Sequence, residues 1–140
     1  MRLFCRFEIP FLALGTAFWL SVPALAEPTD WSELAAHPDL YIGQQVEIGA
    51  AYCASGGVNG DAPGYQCSTP GALYIVTPDI APANAKQRVD ENCGGLDVIE
   101  RSAFCRATIL FVPRSFKTST ELEPGKTVTV IETDGATLSF

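Results

Sequence analysis

Histidine is nearly absent from this 140-residue chain, His37 being the only one. It stands beside Pro38 where a short helical segment should end, and capping or plain surface exposure accounts for it better than general base catalysis. No C-x-x-C pair occurs, which removes the thioredoxin-type redox motif and the paired ligands of a zinc knuckle. The glycine-rich stretch at 54–66 lacks the Gly-Lys-Ser/Thr ending of a phosphate-binding loop and does not lead into a helix. Acidic residues are plentiful, yet none forms a catalytic pair or a metal-ligand string, and Asp90-Glu91 reads as the solvated end of a helix. The sequence therefore names no catalytic residue, metal or cofactor. An unrecognised hydrolase is left as the enzymatic alternative.

What is present begins with an export signal. Arg2 and Arg6 precede an apolar run at 11–20, and Ala24 and Ala26 supply the small-x-small pair that a signal peptidase reads. The run is shorter than the roughly 20 apolar residues a spanning helix needs, so cleavage after Ala26 is expected, with no stable membrane span left behind. Residues 27–140 then form a single domain, periplasmic or secreted. That segment carries seven basic and fifteen acidic side chains, a formal net charge of −8, and no Lys or Arg before Lys86. Such an acidic chain is poorly suited to a polyanion, which weighs against nucleic acid as a partner. Cys53, Cys67, Cys93 and Cys105 make an even set in a small exported domain, the usual setting for structural disulfides. Pairing neighbours in sequence gives Cys53 with Cys67 and Cys93 with Cys105.

Period and punctuation predict the elements. Asp30 begins a short helix, with Glu33 placed to reach back to the cap, and Pro38 stops it. Val46, Ile48, Ala50 and Tyr52 alternate with more polar neighbours as in a strand with one buried face. Residues 54–66 read as a loop, 72–77 as a strand closed by Pro78 and Pro82, and 83–92 as a helix ended by Gly94-Gly95. A short strand follows at 96–100, then a strong one at 104–112 with Ala107, Ile109 and Phe111 on one face. A polar connection fills 114–124. Strands at 126–133 and 136–140 are expected to form a hairpin about Asp134-Gly135. The fold class is mainly β, with one or two short helices and two disulfides.

The strand opening Tyr41-Ile-Gly-Gln-Gln-Val-Glu-Ile48, the short helix before it, the long loop, the later helix and two late strands resemble the small OB-fold domains that bacteria export to the envelope. The resemblance covers roughly residues 41–133 and departs from the family in one respect: an OB barrel has its helix between strands three and four, whereas the helix at 83–92 here precedes the short strand expected at 96–100. The resemblance implies a small OB-like β-barrel used as a binding platform, since such barrels host oligonucleotide, oligosaccharide and protein ligands. Its contact face falls on the loops at 54–66 and 113–125. Arg101, Arg106, Arg114 and Lys117 gather in sequence around Phe116 and form the candidate ligand-binding patch, with Glu121 and Glu123 close enough to neutralise part of it. The expected role is a non-catalytic binding or accessory module of the cell envelope. Its partner would be an envelope protein, a glycan or a small anion; the alternative is an OB-fold nucleic-acid-binding protein.

Overall fold

The structure, a computed structural model, describes residues 28–56, 63–71, 73–94 and 103–140. The signal segment, the strand expected at 96–100 and the candidate Arg101 lie outside them. Asp30 caps α1 (Trp31–Ala36), its carboxylate accepting from the Ser32 N–H at 2.8 Å and the Ser32 hydroxyl at 2.7 Å. Pro38 then opens a separate 3-10 turn, Pro38–Tyr41. The chain continues through β1 (Val46–Ser55), β2 (Tyr65–Ser68), β3 (Leu73–Thr77), the two-residue β4 (Ile80–Ala81) and α2 (Ala83–Asn92). After a 3-10 turn at Ala103–Cys105 come β5 (Arg106–Phe111), β6 (Ser115–Ser119), β7 (Val128–Glu132) and β8 (Ala136–Ser139). The protein is mainly β, with both cysteine pairs bonded as expected: Cys53 to Cys67 and Cys93 to Cys105.

All eight strands join one sheet in the order β4-β8-β5-β1-β2-β3-β7-β6. β1 is antiparallel to β2 and β5, and β3 is parallel to β7. Inward side chains of these strands, among them Val46, Ile48, Ile75, Ile109, Ile131 and Leu138, pack with Leu34 of α1 and Ala85 and Val89 of α2 into one core. β7 and β8 are separated only by Thr133, Asp134 and Gly135, yet β7 lies beside β3 and β8 beside β5. A three-residue link spans on the order of 10 Å, so the five ladders between β7 and β8 must curl until their ends meet. A bulge in β1 between Ile48 and Ala51 assists that bend, with Ala50 at φ +56°. Extra residues in one strand sharpen its twist and coil. Among the described residues no ladder joins β4 to β6, which stay as the two edges of the sheet.

Three expectations are corrected. Residues 65 and 66, assigned to the loop at 54–66, open β2 (Tyr65–Ser68), buried almost throughout; Gly64, at φ +128°, turns the chain into it. With β2 counted, three strands of four or more residues precede α2. Residues 115–119, read as part of a polar connection, form β6, whose side chains are nearly all exposed and so carry no alternation between core and solvent. The hairpin about Asp134-Gly135 does not form, because β8 pairs with β5 and β4 instead of β7. A two-residue I′ turn needs positive φ at both central residues, and neither Asp134 nor Gly135 has it. The backbone N–H groups of Thr133 and Ala136 instead donate to the carbonyls of Val76 and Asp79, at 3.0 and 3.2 Å, which keeps the chain extended across the kink.

Candidate ligand-binding face

The kink at residues 133–135 and the start of β6 meet at one place on the surface. Arg114 precedes β6, its N–H donating to the Glu132 carbonyl at 2.9 Å, and its guanidinium donates to the Asp134 carboxylate. Both side chains are more than two-thirds exposed. In β6 itself, Ser115 stands opposite Glu132 and Phe116 opposite Ile131. Ser115 and Lys117 both reach the Glu132 carboxylate, the hydroxyl at 2.9 Å and the ammonium at 3.0 Å. Lys117 first and Ser115 second hold that carboxyl below the usual glutamate range.

Two grooves open on either side of the Arg114–Asp134 pair. The first, about 420 Å³, is largely apolar and is lined by Ile42, Leu110, Phe111, Val112 and Pro113 as well as by the pair. The Gly43 N–H donates to the Pro113 carbonyl at 2.9 Å and fixes its two walls together. The second, about 490 Å³, is more polar, with Pro63, Thr77, Pro78, Ser115 and Glu132 around the same pair. Its floor is a transverse row of side chains on the outer face of the sheet, since Val76 is in register with Glu132 and Glu132 with Ser115. Gln66 is in register with Val76 and continues that row on β2. It is 1 % exposed, and its Oε1 has no hydrogen-bond partner among the described residues.

The sequence-derived patch is thus divided. Arg114, Phe116 and Lys117 lie together along β6 and its approach. Arg106 starts β5 at the opposite end of that strand, about 17 Å away at roughly 3.3 Å per residue. There it stacks over the Tyr52 ring at 4.8 Å and donates to the Tyr52 hydroxyl. Glu132 and Asp134 neutralise the Lys117 and Arg114 charges. Of the acids expected in that role, Glu123 instead pairs with Lys126 at 2.9 Å and accepts from the Tyr74 hydroxyl at 3.0 Å. Glu121 makes no ion pair among those observed. His37 caps the C-terminus of α1 with its backbone N–H.

No protein-family model, curated protein or solved structure matches this chain. The face is therefore read from its own chemistry: a paired cation and anion flanked by an apolar groove and a hydroxyl- and carboxylate-lined one. Sequence reasoning missed Thr133, Asp134, Glu132 and Gln66. Asp134 had been spent on a turn, and Glu132 carries meaning only through its register with β6. Gln66 did leave a signal, a polar residue directly before a disulfide cysteine in a segment that alternates.

Proposed function

We propose that the protein is an exported, non-catalytic binding module of the cell envelope, an OB-like barrel whose ligand lies across the two grooves flanking Arg114 and Asp134. One observation carries this reading: both grooves share Arg114, Thr133 and Asp134, where the segment after β5, one of the two that border the ligand site in OB barrels, meets the link after β7. The charges there are already paired, so the site offers shape, hydroxyls and exposed Ile42 and Val112 rather than an unbalanced field. That favours a peptide segment of an envelope protein or a glycan over a small anion, because surface apolar groups mark macromolecular contacts. The acidic chain opposes a nucleic-acid ligand. Export is supported by the N-terminal pattern and by two disulfides, which persist outside the cytoplasm.

A chemical-shift titration of the 15N-labelled protein with short peptides, oligosaccharides and inorganic phosphate tests the site. The expected result is a set of changes at Thr77, Arg114, Thr133 and Asp134, weakened several-fold by Arg114→Ala with little change in melting temperature, since an exposed pair contributes little to stability. Changes confined to residues outside both grooves would remove the assignment. Intact mass of protein recovered from the envelope or medium should place Glu27 at the N-terminus, and a chain that still carries Met1 would contradict cleavage.

A further inference from the structure

The grooves leave one feature unused, the outer edge of β6. β6 pairs on one side with β7 over all five of its residues. Among the described residues nothing pairs with its other side, and four of the five side chains are exposed. An edge of that kind presents a row of N–H and C=O groups at strand spacing, which another extended chain satisfies and a sugar or small anion does not. The opposite edge of the sheet, β4, has two residues and offers no comparable row.

We propose that β6 takes up an extended segment of another protein as a ninth strand, with an acidic residue of that segment opposite Lys117. The side-chain pattern selects the occupant. Phe116 shares the inner face of the sheet with Ile131 yet remains 42 % exposed, so an apolar residue opposite it would complete that row. Lys117 projects from the other face, 63 % exposed, and is the one charged side chain of β6, its ammonium lying on the Glu132 carboxylate at 3.0 Å. A second copy of the chain is a poor occupant. A five-residue strand pairs along its whole length with its own antiparallel copy only when centred on its middle residue. That would set Lys117 against Lys117, an unfavourable like-charge pair. Lys117 thus disfavours self-pairing and matches a single acidic residue, which would share its ammonium with Glu132.

The proposal stands apart from the groove reading, because it rests on backbone groups of β6 and its readout is at residues 115–119. The probes are a blocked decapeptide of alternating Val and Glu, its Lys-for-Glu counterpart, and a version N-methylated at alternate residues so that one edge cannot donate. Amide hydrogen exchange of the full chain, followed by NMR, should slow at residues 115–119 with the Glu peptide. The Lys peptide should bind about fivefold more weakly, and the N-methylated peptide should give no protection on its methylated edge. Lys117→Glu should reverse the preference between the two charged peptides. No slowing on β6 with either charged peptide at millimolar concentration would overturn the proposal, as would equal protection from the N-methylated form. Protection that rises with protein concentration alone would assign the edge to a second copy instead. Shifts limited to Thr77, Thr133 and Asp134 would reject strand addition while leaving the groove reading intact.

Discussion

At the scale of single residues, Gly71 is where a side chain is most strictly forbidden. A Cβ there would overlap the six-membered ring of Trp31, which lies flat on the backbone between β2 and β3 and packs against the core. Gly71→Ala has to displace an indole from a filled site, and overpacking of this type costs about 1–3 kcal/mol. Denaturant unfolding should show that loss, and an unchanged midpoint would mean that α1 shifts freely. Glu132 offers a second test at this scale. Its carboxyl is held below the usual range by Lys117 and then by Ser115, so the charged form is favoured in the folded state. The resulting stability is present above the ordinary glutamate value of about 4.3 and is lost as the pH falls through the lowered folded value. Lys117→Met should move the Glu132 carboxyl back up toward the ordinary range in a 13C titration, and should flatten the acid side of the stability profile.

At the scale of elements, β1 both bends and serves as the central strand. It pairs with β5 from Val46 to Tyr52, across the bulge, and its last four residues pair with β2. The bulge at Gly49 and Ala50 lies where the β5 register shifts. Ala50 at φ +56° occupies a region that costs an L-residue about 1–2 kcal/mol and glycine almost nothing. Ala50→Gly should therefore stabilise the protein by up to about 1 kcal/mol after the entropy of the added glycine is counted; equal destabilisation by Gly and Val would show that the bulge conformation is not strained. The disulfides hold two further joints: Cys53 and Cys67 face each other across β1 and β2, and Cys93 at the end of α2 is bonded to Cys105 at the foot of β5. Loops of this size are each worth about 3 kcal/mol when closed, and Cys93→Ala with Cys105→Ala should lower unfolding free energy by that order, measured on protein prepared without reductant. These pairings, α2, β3, β5 and the start of β1 were legible because each rests on local signals: alternation, helix-forming residues and loop closure; past the bulge the buried face expected at Ala50 and Tyr52 passes to Ala51 and Cys53. β6 was not, because an exposed edge strand has no buried face to impose a period, and the partner of β8 was not, because strand pairing is decided by tertiary closure rather than by the residues between two runs.

At the scale of the whole molecule, the sequence conveyed the compartment signals and the mainly β class, since composition and cysteine number are global properties. It conveyed only part of the binding face. Arg114, Phe116 and Lys117 are neighbours along the chain and stayed neighbours, whereas Arg106, eight positions earlier, was carried to the far end of a strand. The acids that balance the face came from β7 and the kink after it, which no linear reading places beside β6. Because the segment at 128–139 contacts β3 with its first half and β5 with its second, β5 has β1 on one side and no neighbour on the other until residues 136–139 are laid beside it. Residues 28–135 contain the strands from β5 through β7 but lack β8 and, in the core, Leu138. β8 therefore acts as a clasp: without it β5 keeps an open edge and the core lacks Leu138.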